Sequence, residues 1–360
     1  MNANCPSCFI ILCALFSSGC LPEIKAPLPA KAPSQDGYLF CMWNVENFFD
    51  NKDDHRKTEP DKEYDSWFGN NPKDFKLKLD HIVEVLLRMN NGTGPDILAL
   101  AEVEEDSQVP NLLVASLNAK LPPDNQYRDI AFKNPHGGRC IATCVISKLP
   151  IQSNKVTLLG KRIRILEVPI KVNGKELIVL ATHWTSKLTD KDGSGRSKYA
   201  DQIHGAYIAM ARNNPDIDFL VCGDFNSTPD EDCVKKHLKT TDSVQETLVK
   251  KREIEGSSGN DRWLDFPLLN PFSNWKEKKL GSIYYHGKSE LFDQIVVSPG
   301  LLDEKGWSCD PSSAKVFSEA PPADGKGHPV RFGSEKDHKH VRGYSDHLPV
   351  TIRLKVEGAN

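Results

Sequence analysis

The sequence predicts an α/β fold in which short apolar strands alternate with amphipathic helices. Apolar runs recur along the chain and end at polar residues, as buried strands do. Between these runs, apolar residues recur at helical spacing, for example at Phe75, Leu79, Ile82, Val83 and Leu86. Strands that alternate with helices along one chain are typical of sheets covered by helices.

The strands follow from the apolar runs in chain order. They are predicted at 38–43, 96–101, 139–147, 162–172, 175–182, 217–222, 282–285, 291–297 and 348–356. Helices are predicted at 75–87, 110–120 and 199–212. Asn173 and Gly174 predict a tight hairpin between two of the strands. Thr228 and Pro229 are typical of a helix start.

Polar stretches between these elements predict loops. Residues 51–72 and 184–198 are rich in charged side chains and are expected on the surface, and 240–280 shows no clear periodicity. Residues 326–342 hold five Lys or Arg and three His among Gly and Pro, so we expect a mobile basic loop there. No repeat or boundary divides 38–356, and we expect one domain over that range.

Composition limits the class of function. The chain has 360 residues, of which 39% are hydrophobic and 26% charged, with a formal net charge of −3. That is enough apolar material for a sizeable core. The near-neutral charge argues against a high-affinity nonspecific DNA-binding protein, but not against an enzyme that meets DNA briefly.

The N-terminal 20 residues predict an export signal. They contain no Lys, Arg, Asp or Glu, and Phe9 to Phe16 is apolar but too short to span a bilayer. Small residues close on Cys20, which indicates a lipoprotein-type signal with Cys20 lipidated. Prolines at 22, 27, 29 and 33 predict that 21–37 is an extended tether. We therefore expect an exported protein, periplasmic or extracellular, anchored to a bacterial membrane.

The cysteines do not indicate a disulfide scaffold or a zinc site. Four of the ten lie in the first 20 residues, and the other six are widely spaced without a CxxC pair. Cys140, Cys144 and Cys222 lie in or beside apolar runs, where a thiol behaves as a small hydrophobic group. Pairing of some cysteines in an exported protein stays open.

Residues able to bind metal or phosphate recur where the predicted strands end. This set comprises Asn44, Glu46, Glu102, His183, Asp224, Asn226, Asp293, Asp346 and His347. One such residue after a strand is usually a turn or helix cap. Six strand ends with carboxylates, amides and imidazoles favour an active site at one sheet edge. Oxygen ligands without clustered cysteines suit Mg²⁺ or Mn²⁺ better than Zn²⁺.

Six motifs, in this order, resemble the endonuclease/exonuclease/phosphatase superfamily, in particular its exported bacterial members. They are WNVENFFD, LALAEVEE, ATHWTSK, CGDFNSTP, FDQIVVS and YSDHLPV, and together they cover essentially all of 38–356. The resemblance implies a deoxyribonuclease-like α/β fold: a four-layer sandwich of two mixed β-sheets flanked by helices. It also implies hydrolysis of phosphate esters with a divalent cation.

The resemblance also implies residue roles. Glu102 is expected to be the principal Mg²⁺ ligand, with Asn44, Asp346 and Glu46 close by. Asp224 and Asn226 are expected to orient the attacking water or to hold a second metal. His183 is expected to contact a phosphate oxygen. His347, oriented by Asp293, is expected to contact the phosphate, and either His347 or Asp224 is expected to act as the general base. Arg139 is expected to be either a phosphate contact or a surface arginine.

The expected function is a Mg²⁺-dependent phosphodiesterase, in first place an exported nuclease acting on DNA or RNA. Basic segments at 184–198 and 326–342 could flank a nucleic-acid backbone, although both could be ordinary solvated loops. A phospholipid or inositol-phosphate phosphodiesterase or phosphatase is the enzymatic alternative. The alternative of another class is a catalytically silent surface lipoprotein. No protein partner is predicted, and we expect a monomer.

Overall fold

The structure is a computed structural model that describes Met1 and residues 37–358, except 258–262, 264, 280, 320 and 338–340. The predictions of a signal at 1–20, a lipidated Cys20 and a tether at 21–37 lie outside the described residues, apart from Met1 and Gly37. None of the described helices combines the length and the apolar character needed to cross a bilayer.

The described residues form strands and helices in the alternating order that the sequence predicts. The strands are β1 (Tyr38–Phe48), β2 (Ile97–Glu104), β3 (Asp129–Phe132), β4 (Ile141–Ser147), β5 (Thr157–Leu158), β6 (Ile165–Val172), β7 (Lys175–His183), β8 (Phe219–Asp224), β9 (Thr240–Thr241), β10 (Leu268–Leu269), β11 (Ile283–Tyr285), β12 (Lys288–Glu290), β13 (Asp293–Val297), β14 (Trp307–Val316) and β15 (Val350–Val356). The helices are α1 (Asp61–Asn70), α2 (Pro72–Arg88), α3 (Val109–Asn118), α4 (Ser194–Ala211) and α5 (Val244–Gly256).

The strands form two mixed sheets. The first has the order β14-β15-β1-β2-β4-β3, and only its β1–β2 pair is parallel. The second has the order β5-β6-β7-β8-β13-β10-β9, with β7–β8 and β9–β10 parallel. Strands β11 and β12 form a separate hairpin. In each sheet, one parallel pair at the centre carries polar residues to the same edge.

Alternation along β1 shows how the layers stack. Tyr38 and Phe40 belong to the apolar core between the two sheets, whereas Leu39 and Trp43 belong to a second core beneath α1, α2 and α3. A third core joins the outer face of the second sheet to α4 and α5. Three cores separate four layers, so the expected four-layer sandwich is confirmed.

Several local predictions are also confirmed. Asn173 and Gly174 have φ angles of 49° and 80° and turn β6 into β7. Helices α2, α3 and α4 lie where their apolar periodicity predicts them. The six described cysteines are all free, which answers the open question of pairing for that part of the chain.

The prediction of a loop across 51–72 is wrong for its second half. Helix α1 occupies Asp61–Asn70, with Tyr64, Trp67 and Phe68 buried on one face. These three residues have helical spacing, but the polar side chains around them obscured the pattern. The Tyr64 ring stacks on the ring of Phe49, which directly follows β1, with centroids 6.0 Å apart, and this contact joins the helix to the first sheet.

Other loops also contain structure that the sequence analysis missed. Helix α4 begins at Ser194 within the predicted 184–198 loop, and α5 lies in the segment without clear periodicity. The expected helix start at Thr228 is a turn, in which the Thr228 N–H donates to Glu231 Oε1 at 3.0 Å. Residues of the basic loop expected to be mobile pack inward, since Phe332 is 2% exposed.

Candidate active site

Bulges near the ends of β1 and β2 turn the site residues towards the cleft. The β1–β2 register shifts between Asn44 and Phe48, and the β2–β4 register shifts between Leu100 and Val103. Glu102 itself has a φ of 62°, which is uncommon for a residue with a side chain. Bulges and positive φ angles cluster at functional sites because they change the direction of a side chain relative to the regular strand.

Asn44 joins the two sheets at this edge. Its Nδ2 atom donates to Glu102 Oε1 at 3.2 Å and to Asp224 Oδ2 at 3.1 Å. The Asn47 N–H donates to the other Glu102 oxygen at 2.9 Å. One amide therefore fixes the distance between a carboxylate of the first sheet and a carboxylate of the second.

Glu46 has different partners from Asn44, although both precede the end of β1. Its φ of 51° breaks the alternation that predicted a shared face. Its carboxylate accepts the N–H groups of Phe332 and Gly333 at 2.7 and 3.1 Å, and Arg331 Nε lies 3.4 Å away. Glu46 therefore holds the 331–333 segment beside the cleft.

The second sheet supplies three catalytic candidates from neighbouring strands. His183 at the end of β7 is paired with Asp224 at the end of β8, and Asp224 is paired with Asp293 at the start of β13. His183 Nε2 lies 3.7 Å from Asp224 Oδ2 and 3.9 Å from Glu102 Oε1. Strand register therefore places these side chains in one row.

A short segment, 343–347, completes the row, and we call it the strap. Its Ser345 hydroxyl donates to the Asn44 carbonyl at 2.7 Å, and Trp43 Nε1 donates to the His347 carbonyl at 2.9 Å. These bonds fix His347 so that its Nε2 atom lies 3.8 Å from Asp224 Oδ2. Its Nδ1 atom contacts Asp293.

These side chains open into one cleft of about 500 Å³. The predicted site residues that line it are Glu102, Arg139, His183, Asp224, Asn226, Asp346 and His347. Asn44 and Asp293 contact this lining from behind, and Glu46 lies to its side. The structure thus brings the sequence-predicted set to one place.

Burial and neighbouring charges shift the pKa values of the acidic groups in the cleft in different directions. Burial opposes ionisation of Glu102, but the positive charges of His183 and Arg139 outweigh it and lower its pKa to about 2. Burial and the neighbouring Glu46 raise the pKa of Asp346 to about 7. Burial also raises the pKa of Asp224, although the nearby His347 opposes that effect.

Two arginines that the sequence analysis did not single out also line the cleft. Arg164 donates from Nε to the Ile141 carbonyl at 2.9 Å, which fixes the plane of its guanidinium, and Arg162 lies beside it. Arg139 is held by Asp61 at 2.7 Å. The residues just before β6 carried no motif, so only the folded chain shows that these arginines reach the site.

The donor set fits a hard divalent cation. Glu102 and Asp346 present carboxylate oxygens to the cleft, and the Asn44 amide oxygen retains a lone pair after accepting the Glu46 N–H. Burial and the neighbouring Glu46 carboxylate raise the pKa of Asp346, and a bound cation would favour its ionised form. Cysteine takes no part, which disfavours zinc.

Sequence comparison agrees with this arrangement. A family model described as the Endonuclease/Exonuclease/phosphatase family matches residues 40–356. The chain belongs to the endonuclease/exonuclease/phosphatase family. Members of this family are phosphoric ester hydrolases and commonly use divalent metals. A search of curated proteins finds no match.

The chain is also similar to solved structures at low sequence identity. Beta toxin from Staphylococcus aureus, as a mutant with bound magnesium ions, has 15% identity and a TM-score of 0.50 over 88% of this chain and 99% of its own. Truncated Caenorhabditis elegans TDP2 has 13% identity and a TM-score of 0.49 over 89% and 97%. A mannosyl-6-phosphatase from Bacteroides thetaiotaomicron has 14% identity and a TM-score of 0.48 over 88% and 99%.

Proposed function

We propose that the protein is a Mg²⁺-dependent phosphodiesterase, and in first place a nuclease. The observation that carries the proposal is that one cleft contains carboxylates suited to a cation and, beside them, a row of imidazole and carboxylate groups. A phosphodiester needs both, since its charge must be balanced while a water molecule is activated. Mn²⁺ would fit the same oxygen ligands.

Glu102 and Asp346 are the residues we assign to the cation, with Asn44 as a third ligand or as the group that orients Glu102. The bound cation would neutralise charge on the phosphoryl oxygens. Glu46 lies beside these cation ligands. Its negative charge is one of the causes of the raised pKa of Asp346. Its two oxygens already accept main-chain N–H groups, so we assign it to the support of the site.

Asp224 and Asn226 are the residues we assign to the attacking water. Asp224 Oδ1 accepts the Asn226 N–H at 2.8 Å, and its Oδ2 atom faces both imidazoles. In the proposed step the water oxygen forms a bond to phosphorus, Asp224 accepts the water proton, and the ester P–O bond breaks with its electron pair on the leaving oxygen, which takes up a proton from solvent water. Because His347 carries its proton beside two carboxylates, we assign the base role to Asp224.

His183 and His347 are the donors we assign to the phosphoryl oxygens, together with Arg139 and Arg164. Burial would lower the pKa of His347, but Asp293 and Asp224 raise it well above its ordinary value. A protonated imidazole and a fixed guanidinium stabilise the charge that develops in the transition state.

The cleft favours a nucleic-acid strand over a small phosphate ester. Arg162 and Arg164 line the cleft, and Tyr285 and Phe292 also belong to its lining. Lys187 lies 4.7 Å over the Phe292 ring at the cleft rim. Basic groups beside the half-buried Tyr285 ring suit a phosphate backbone with a stacking base. DNA and RNA are both open as substrates.

A phospholipid or inositol phosphate is a second candidate substrate. Leu188 lines the cleft with 68% of its surface exposed, and Tyr284 on the nearby hairpin is 48% exposed. Such side chains at the rim suit an acyl chain or a membrane surface. A silent binding lipoprotein is a weaker proposal, because a protein without catalysis gains nothing from an aligned row of His183, Asp224 and His347.

The decisive experiment measures hydrolysis of plasmid DNA, RNA and a phosphoinositide panel with Mg²⁺, Mn²⁺ or a chelator. We expect chelator-sensitive cleavage of nucleic acid that Glu102→Gln and Asp224→Asn lower by about 10³-fold. Asp218→Asn is the matched control, because Asp218 is a buried carboxylate at the other end of β8. Full activity in both cleft variants would refute the assignment, and cleavage of lipids alone would replace the nuclease proposal.

We also propose that the protein is exported, anchored through Cys20 and monomeric. The proposal rests on the N-terminal sequence, and the anchor would hold the hydrolase domain near a membrane surface. Metabolic labelling with palmitate tests it. Wild-type protein should carry the label and fractionate with membranes, and Cys20→Ser should do neither; an unlabelled soluble wild type would refute the anchor.

A further inference from the structure

Lys78 is a fully buried lysine to which the proposed reaction gives no role. It lies on α2, in the outer helix layer, and 0% of its surface is exposed to solvent. Lysine is among the residues least often fully buried, since removing an ammonium from water is costly. A buried lysine therefore needs compensating groups, and those around Lys78 belong to the proposed active site.

Lys78 contacts the strap directly. Its Nζ atom donates to the Tyr344 carbonyl at 2.9 Å and lies 4.7 Å from the centre of the Phe332 ring. One helical turn further along α2, His81 Nδ1 lies 2.5 Å from the Gly343 carbonyl, and the His81 ring stacks on Tyr344. Helix α2 thus holds the first two residues of the segment that carries Asp346 and His347.

The charges that face Lys78 come from three elements. Glu46 at the end of β1, Glu102 in β2 and Asp346 in the strap act on it as negative charges, and Arg331 acts as a positive one. Burial lowers the pKa of Lys78 to about 8, and the three carboxylates oppose that decrease. The Lys78 ammonium is therefore a fixed positive charge behind the carboxylates of Glu46, Glu102 and Asp346.

We propose that Lys78 is a positioning residue with an internal charge that sets the affinity of the acidic site for its cation. The inference rests on the proposed metal-dependent hydrolysis. The ammonium places a positive charge beside Glu46, Glu102 and Asp346 before a cation binds. It also repels the bound cation, so that the site binds the ion less tightly than three carboxylates alone would.

Two effects of opposite sign follow. Lys78→Met keeps an unbranched side chain one atom shorter than lysine but removes the charge, and we expect about tenfold tighter cation binding. The same change loses the bond to the Tyr344 carbonyl, so the strap is held less firmly and turnover falls by about tenfold or more. A lysine with a purely structural role would give weaker binding, or unchanged binding, together with lower stability.

Two further variants separate charge from tethering. His81→Phe keeps a ring against Tyr344 but loses the bond to Gly343, so turnover should fall while cation affinity stays within about threefold. Lys148→Met is the matched control, because Lys148 is also fully buried. Its Nζ donates to the Thr93 and Gly94 carbonyls, which lie in the segment that joins α2 to β2. This variant should lower stability and leave cation affinity unchanged.

The experiment is calorimetric titration of the metal-free full-length variants with Mg²⁺ and with Mn²⁺ at pH 7, with thermal unfolding as the check on folding. Tighter binding by Lys78→Met alone supports the proposal, and equal or weaker binding overturns it. If that variant does not fold, Lys78→Arg retains the charge and should keep wild-type affinity; a tenfold change would overturn the proposal. Failure of the wild type to bind any cation would instead refute the metal-dependent function on which it rests.

Discussion

The Nδ1 atom of His347 lies 2.6 Å from the Oδ2 atom of Asp293, and both side chains are buried. The pair comes from distant parts of the chain, the strap and β13. This bond fixes the ring so that Nε2 faces Asp224. The other Asp293 oxygen, Oδ1, is buried without a hydrogen-bond partner, so its negative charge acts mainly on the imidazole.

Replacing Asp293 by Asn should separate orientation from charge at His347. Asn keeps the shape but removes the negative charge that raises the pKa of His347. Since the proposed role of His347 needs the protonated ring, activity is lost as pH rises through its pKa. We expect the alkaline limb of the kcat/KM profile to move down by about one to two pH units. Turnover at pH 7 should fall by about 10²-fold or more.

The control for this variant is His204→Gln, because His204 is a buried histidine of α4 whose Nε2 lies 3.0 Å from the Phe266 carbonyl, outside the cleft. It should leave the pH profile unchanged. An alkaline limb that does not move in Asp293→Asn would contradict the assigned role of the pair.

Asp346 should destabilise the metal-free protein at neutral pH. Burial and Glu46 raise its pKa to about 7, above the ordinary 3.8, so the folded state binds this proton more tightly than the unfolded state. Folding stability is therefore lost as pH rises from about 4 to 7. Asp346→Asn should gain about 1–2 kcal/mol in the free energy of unfolding at pH 8, measured by urea titration with chelator.

The same substitution should remove much of the cation affinity. Wild-type stability should rise on adding Mg²⁺, whereas Asp346→Asn should respond little. At pH 4, where the wild-type side chain is protonated in the folded state, the two proteins should have similar stability. A variant that is less stable than the wild type at pH 8 without metal would show that the carboxylate is not strained by its neighbours.

The sequence predicted which residues form the site better than it predicted how those residues are arranged. His183, Asp224 and Asp293 follow from strand ends, because register in a regular sheet places them together. Glu46 departed from the expected pattern, since period two holds only while the strand is regular and its positive φ re-aims the side chain. The bulge depends on contacts with the 331–333 segment, which is distant in sequence.

Arginines and lysines near the cleft illustrate a second limit of prediction from the sequence. Arg164 looks like any basic residue at a strand start, and its role depends on the Ile141 carbonyl that fixes its plane. Lys78 has the helical spacing of the core face of α2, where a lysine usually extends its ammonium to solvent. Only tertiary contacts between α2 and the strap distinguish it from a surface lysine.

Arg164 should contribute to transition-state binding in a way that lysine cannot reproduce. Its Nε donates to the Ile141 carbonyl and its Nη2 to the Arg139 carbonyl at 3.5 Å, and the fixed guanidinium lines the cleft. Arg164→Lys keeps the charge but loses the planar fork, and we expect kcat/KM to fall by about tenfold to 10²-fold. Arg128→Lys, at an arginine outside the cleft lining, is the control and should have no effect. Equal activity of Arg164→Lys and wild type would remove Arg164 from the site.

Glu46 should control the order of the 331–333 segment. Its two oxygens accept the Phe332 and Gly333 N–H groups, and removing a charged acceptor leaves both buried donors without a partner. Glu46→Ala should therefore lower the free energy of unfolding by about 2–4 kcal/mol, whereas Glu46→Gln retains one acceptor and should lose about half as much. Limited trypsin digestion at Arg331 should accelerate in Glu46→Ala, because the freed segment exposes its backbone. Cleavage at an unchanged rate, with stability near that of the wild type, would show that other contacts hold the segment, and Glu46 would then be available to the cation as the family resemblance implies.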